Sequence, residues 1–259
     1  MTILHAIALG IVEGVTEFLP VSSTGHLILA DKLLGIPNLE FLKSFEIAIQ
    51  LGAIAAIVLL YWKKITHDWM YIKKIIWAGV PTFILGAAAY PFIKSHLLGN
   101  MSVVLVALFV GGVAILAIER WYKNRISNTV DRISPEITYK NAFFIGLFQA
   151  IAFIPGISRA AATILGGLLL KLDRKTAAEF SFLLAVPTMG AATGYDLLRS
   201  AGTITGDTLP LLAVGFITAA ATAYMVVYYF VRYVQRHNFI LFGWYRIALS
   251  VAFALFLLV

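Results

Sequence analysis

A succession of apolar segments with almost nothing polar between them limits this chain more than any other feature. A helix needs roughly 17 to 25 apolar residues to cross a bilayer. The windows 45–62, 77–93, 101–119, 178–198 and 209–231 reach or approach that length, and 239–259 is a sixth, interrupted by Arg246. No polar stretch separates them, so residues 1–259 read as a single integral membrane domain. Composition agrees: 61% of the residues are hydrophobic and 13% charged, where a soluble domain has about a quarter charged, and mean hydropathy is +0.90. The lack of cysteine excludes disulfides and thiolate metal centres. A net charge of +7 could signal a nucleic-acid partner, but in a membrane chain positive charge gathers in cytoplasmic loops, and no nucleic-acid partner is expected. The opening "MTILHAIALG" has no basic run before its apolar residues, which argues against a cleaved signal peptide and for a segment of the mature fold.

Basic residues cluster at Lys63, Lys64, Lys73 and Lys74; at Arg120, Lys123, Arg125, Arg132 and Lys140; at Lys171, Arg174 and Lys175; and at Arg232 and Arg236. All of them fall on one side if 45–62 runs inward, 77–93 outward, 101–119 inward, 178–198 outward, 209–231 inward and 239–259 outward. For 178–198 to leave from the cytoplasm, 141–171 must enter and return on the same side, as a re-entrant pair of half-helices broken at "IPGIS". The same logic makes 2–35 a re-entrant pair opening to the outer face, broken at "LPVSS". A weak internal similarity supports this. "GIVEGVTEFLPVSSTGH" from Gly10 aligns with "GLFQAIAFIPGISRAA" from Gly146 at an offset of 136, becoming 135 from the proline onward, and "FEIAIQL" at Phe45 meets "FSFLLAV" at Phe180. The expected fold is therefore an all-α polytopic membrane protein of two inverted-topology repeats, about 1–120 and 136–259. It has about six transmembrane helices and two re-entrant broken-helix pairs that meet near the midplane, where such architectures build their sites.

The polar residues concentrate at these breaks. Non-helical backbone at membrane depth is tolerated only where protein or a water-filled cavity satisfies it, and helices restarting after Pro20 and Pro155 aim free N–H groups inward, a setting that binds anions. Both restarts are rich in hydroxyls: Ser22, Ser23 and Thr24 in one, Ser158 and Thr163 in the other. Arg159 costs about 2.5 to 3.5 kcal/mol in a membrane interior and needs an anion. That partner is Glu13 or Glu17, or phosphate oxygens gripped by a guanidinium fork, and the two can coexist. Glu13 and Glu17, four apart, share a helical face, so one is protonated or a cation lies between them. Oxygen ligands beside phosphate point to Mg²⁺ or Ca²⁺; a proton relay is the other reading. Ser23 and His26, three apart, pair a nucleophile with a base. His5, His67, His96 and His237 lack such company and read as structural.

These residues resemble the undecaprenyl pyrophosphate phosphatases of bacterial cell-wall synthesis, the bacitracin-resistance type. "EGVTEFLPVSSTGH" and "PGISRAAAT", with "FEIAIQLGA" and "EFSFLLAVP" between and after them, follow the family's order from Glu13 to Pro187. The resemblance implies a multi-pass enzyme of the bacterial inner membrane that hydrolyses a C55 isoprenyl diphosphate to the monophosphate and phosphate. A divalent cation and an active site open to the periplasm are also implied. The polyprenyl diphosphate lipid and membrane lipids are the expected partners, and a homodimer is compatible with such a chain. The family's acidic motif falls on Glu13 and Glu17, its serine and histidine motif on Ser22, Ser23 and His26, and its arginine motif on Ser158, Arg159 and Thr163. Ala160 stands where the family usually has a further serine. Expected catalytic residues are Glu17, Ser23, His26 and Arg159; expected phosphate ligands are Ser22, Thr24, Ser158, Arg159 and Thr163; expected cation ligands are Glu13 and Glu17. Ser23 would attack with His26 as base, or His26 would activate water while Ser23 positions phosphate. A lipid-phosphate flippase fits the same architecture. The type 2 phosphatidic acid phosphatases fit poorly: there is no Arg-Pro dipeptide, and Leu165 stands where their histidine would follow Arg159.

Overall fold

A computed structural model describes residues 1–36, 40–97, 99–128, 136–199 and 206–258. Arg132 of the basic clusters and Val259 of the sixth window lie outside them. The described residues form helices α1 (Ile3–Thr16), α2 (Ser23–Leu33), α3 (Glu40–Leu60), α4 (Trp62–His67), α5 (Trp69–Phe92), α6 (Met101–Asn128), α7 (Tyr139–Ala150), α8 (Arg159–Leu169), α9 (Arg174–Arg199), α10 (Leu209–Val234) and α11 (Ile240–Leu258). Each apolar window is a helix. Four have the length and composition to cross a membrane: Phe41–Leu60, Trp69–Phe92, Met101–Arg125 and Leu209–Val234. The protein is an all-helical, multi-pass membrane protein.

Two windows need revision. Helix α5 begins eight residues before the expected 77, because the Asp68 carboxylate accepts from Tyr71 N at 3.0 Å and caps it there. Helix α9 falls outside the four apolar candidates. It lies in the protein interior, with Phe180, Ser181, Phe182 and Leu184 completely buried, so its surroundings are neighbouring helices and it carries hydroxyls that a lipid-facing helix would not.

The element order divides into two similar runs. Threonines cap both α1 and α7: Thr2 accepts from His5 N and Thr138 from Asn141 N. Helix α1 packs on α10 and α3, α7 packs on α5, and α6 pairs with α11. Contacts of this kind need small residues. A Cβ on Gly14 of α1 would stand 2.7 Å from the Ala219 carbonyl of α10, and one on Gly146 of α7 would run into the Ala78 carbonyl of α5.

The basic segments meet at one end of the bundle. Arg174, opening α9, holds Glu119 of α6 through two bonds, Nε to Oε1 at 3.0 Å and Nη2 to Oε2 at 2.6 Å; Phe239 N, just before α11, donates to the same Oε1 at 2.9 Å. Lys64 of α4 pairs with Glu179 of α9 at 3.5 Å, and Lys74 of α5 lies over the Tyr139 ring that opens α7. Away from this end, Phe83, Ile84, Val110, Ile217, Trp244 and Leu255 point outward, an apolar surface suited to lipid.

Candidate active site

The two breaks have matching backbone. Helix α1 stops before Pro20 and α2 restarts after Ser22, which has φ 73° and ψ 95°; the second break ends on Ser158, with φ 72° and ψ 116°. Positive φ is unfavourable for any residue with a Cβ, by about 1–3 kcal/mol in sparsely populated regions. Finding it at the same point of both breaks marks a built feature. The helices that follow, Ser23–Leu33 and Arg159–Leu169, are both 11 residues long. The expected offset of 135 from the proline onward therefore applies at the prolines but not at the restarts. An additional residue after Pro155, with Gly156 at φ 97°, returns the register to 136. Ser23 and Arg159 are each the first residue of the helix that follows a break.

These two residues converge on one carboxylate. Ser23 Oγ donates to Glu17 Oε2 at 2.5 Å, and Arg159 Nη2 donates to Glu17 Oε1 at 3.0 Å. Arg159 Nη1 donates to the Ser181 carbonyl at 2.9 Å, and its guanidinium lies 5.3 Å from the Phe18 ring centroid. Its Nε has no partner, and neither carboxylate oxygen of the fully buried Glu13 has one. Unsatisfied buried groups are rare in folded proteins and need an explanation. Here they lie behind a cavity of about 530 Å³, whose walls include Glu17, Ser22, Ser23, Thr24, Ser158 and Arg159 but not Glu13. The cavity continues between α5 and α9 along Phe83, Ala87, Tyr90 and Met189, so a polar head and an apolar passage adjoin.

The family description "Bacitracin resistance protein BacA" matches residues 6–252. The chain belongs to that family. It is 52% identical over 258 residues to an undecaprenyl-diphosphatase of Persephonella marina and 48% identical over 258 residues to one of Aquifex aeolicus, with each chain covered completely. It is 47% identical over 257 residues to the undecaprenyl-diphosphatase of Thermus thermophilus, covering 98% of this chain and 97% of that one.

Other expected site residues of this BacA-family chain are placed differently. The Ser23 hydroxyl lies on Glu17, while His26 is engaged elsewhere, its Nδ1 against the Ser22 carbonyl at 2.8 Å and its Nε2 against Tyr245 Oη at 2.6 Å. With Nδ1–H donating to that carbonyl, Nε2 accepts from the tyrosine. Ser158 lines the cavity, but its Oγ also accepts from Ala161 N at 3.1 Å as the α8 cap. Ser22 makes no such cap bond, leaving N–H groups of α2 open. Thr163 is completely buried and supports Arg159 from behind: its hydroxyl donates to the Arg159 carbonyl at 2.9 Å and lies 2.6 Å from Ser181 Oγ.

Three contributors escaped the sequence reading. Ser181 lies within the "EFSFLLAVP" stretch of α9, but nothing in that apolar run singles out its hydroxyl. Tyr245 and Arg246 lie on α11, more than 200 residues from the first break. Arg246 was visible as a charge inside an apolar window, which is a functional signal by default, although its partners were not.

Proposed function

We infer that this protein hydrolyses undecaprenyl diphosphate to undecaprenyl monophosphate and inorganic phosphate, the activity in its relatives' names. The observation that carries the chemistry is Glu17 accepting from both Ser23 and Arg159. A hydroxyl and a guanidinium from the two breaks meet on one carboxylate at the polar end of a cavity that runs on between apolar walls.

In the reading these contacts support, the terminal phosphate lies against Arg159, Thr24 and the free N–H groups opening α2. Ser23 Oγ attacks the terminal phosphorus, and its proton passes to Glu17. The bond from that phosphorus to the bridging oxygen breaks, and undecaprenyl monophosphate leaves with the bonding pair. Water then attacks the phosphoserine, the bond between phosphorus and Oγ breaks, Glu17 returns its proton to Ser23, and orthophosphate departs with the protons of the water. His26, held by Ser22 and Tyr245, keeps the first turn of α2 in place. Electrostatic preorganisation of this kind generally carries most of phosphoryl transfer.

Glu13 and Glu17 fit a divalent cation, Mg²⁺ or Ca²⁺. The Glu13 carboxylate is buried without a partner, and hard oxygen donors suit such ions, which commonly complete their shell with phosphate oxygens and water. When bound, the cation would neutralise charge on the diphosphate.

The fold supports two inverted-topology repeats with re-entrant breaks: caps at Thr2 and Thr138, restarts of equal length, and the exchange of neighbours between α1 and α7. The basic end is cytoplasmic by the positive-inside rule. The cavity follows α5 from Thr82 to Tyr90 and on to Ile93, away from Lys73 and Lys74, so the site opens to the periplasmic side of the inner membrane.

The test is phosphate release from farnesyl diphosphate by purified protein in detergent, with acid-quench capture of the phosphorylated peptide. Release together with phosphate on Ser23 is expected. Release without any phosphoserine under rapid quench would transfer the role of nucleophile to water, and no release would return the protein to the carrier reading.

A further inference from the structure

Arg246 of α11 is completely buried, and among the described residues no carboxylate pairs with it. All five guanidinium N–H donors go to carbonyl oxygens. Nη1 donates to Pro20 at 3.2 Å and Ile157 at 3.0 Å; Nη2 to Gly156 at 2.9 Å and Ala107 at 3.1 Å; Nε to Leu108 at 3.3 Å.

The identity of these carbonyls gives the contact its meaning. Pro20 lies two residues before Ser22, and Gly156 and Ile157 immediately precede Ser158. They belong to the non-helical backbone of the two breaks, where carbonyls lose the helical partners they need at membrane depth. Ala107 and Leu108 belong to α6, which pairs with α11 along its length. One rigid, planar group therefore links both breaks to each other and to a long helix. Ser23 follows Pro20 by three residues, and Arg159 follows Ile157 by two. The separation between nucleophile and phosphate-binding guanidinium is set through Arg246, although it is absent from the cavity wall.

We propose that Arg246 is a positioning residue for phosphoryl transfer, holding the two broken segments in the register that brings Ser23 and Arg159 onto Glu17. Its neighbourhood has the form of a socket. A Cβ on Gly111 of α6 would fall on Nη2, so glycine there leaves the space the guanidinium fills. Lysine would keep the charge but not the fork: three donors on a single nitrogen cannot span five carbonyls on three segments. The proposal rests on the reading of the two breaks as the catalytic site.

The experiment measures steady-state hydrolysis of farnesyl diphosphate in detergent by Arg246→Lys, Arg246→Met and Gly111→Ala, with Ser23→Ala and Arg159→Lys as controls and monodispersity followed by size exclusion. A misplacement of about an ångström costs on the order of a hundredfold in rate. The expected result for the three test variants is a kcat lower by about 10- to 100-fold, with KM and the half-activating Mg²⁺ concentration each within about twofold of wild type. Retention of kcat within twofold by Arg246→Lys or Gly111→Ala overturns the proposal. So does a loss confined to KM, which would make Arg246 a substrate ligand, or failure of all three variants to give monodisperse protein, which would make it a support of the fold as a whole. Wild-type turnover in the Ser23→Ala and Arg159→Lys controls would instead remove the underlying site reading, whereas inactive controls beside normal Arg246 variants would remove this inference alone.

Discussion

At the basic end of the bundle, Arg174 grips Glu119 with two nitrogens while a backbone N–H of the segment before α11 donates to the same carboxylate. At the centre, Arg159 touches Glu17 with one nitrogen, the other carboxylate oxygen receives a serine hydroxyl, and Arg159 Nε and both oxygens of Glu13 are left without partners. Both are arginine–glutamate pairs with a buried carboxylate, and both bridge distant segments. In the first, both carboxylate oxygens are hydrogen-bonded and Arg174 engages through two nitrogens. In the second, Arg159 Nε and both Glu13 oxygens are buried without a hydrogen-bond partner.

If the contrast is correct, substitutions in the two pairs must separate turnover from stability. The largest effect belongs to Ser23→Ala, which should lower phosphate release by about a thousandfold or more while leaving the melting temperature near that of wild type; a serine that only positions phosphate would cost far less. Arg159→Lys should follow at about a hundredfold, the scale for one preorganised donor lost around a developing charge, and near-normal turnover would refute the guanidinium clamp. Glu13→Gln should raise the Mg²⁺ or Ca²⁺ concentration for half-maximal activity by about tenfold, a loss comparable to perturbing a metal site's supporting ligands, and an unchanged cation titration would take Glu13 out of the cation site. The smallest effect on turnover belongs to Glu119→Gln. Specific activity of the folded protein should remain within about twofold, while breaking a buried pair costs about 3 kcal/mol and lowers the melting temperature. A Glu119→Gln protein that melts normally but turns over slowly would erase the distinction between the two pairs.

Much of the architecture was readable from hydropathy because lipid-facing helices must be apolar throughout. The windows located α3, α6, α10 and α11, and the start of α5 was missed because a cap on Asp68 recruits a basic turn that hydropathy discounts. Likewise, Glu17, Ser23 and Arg159 were identifiable because charge and hydroxyls are costly at a membrane break. Their mutual geometry was not identifiable: Ser23 and His26 do share the first turn of α2, but the break before it folds the serine back onto Glu17 while the imidazole turns to Ser22 and Tyr245. The one-residue slip between the two breaks has a local origin, since alignment on the prolines hides the additional residue around Gly156. Ser181 and Tyr245 needed tertiary contacts to be recognised at all, and Arg246, visible as a charge in an apolar window, needed them for its partners.

The position of α11 in the chain has a consequence for how the protein is made. Ribosomal synthesis delivers the first break early and the second past the midpoint, yet the carbonyls of both remain without the guanidinium of Arg246, and His26 without the hydroxyl of Tyr245, until α11 has entered the bilayer. A nascent chain stalled before that helix can hold both motifs and still lack the fixed separation between them. On the reading of Arg246 proposed above, the two breaks are made well before the helix that fixes their separation, so the site takes its final form only once α11 has packed against α6.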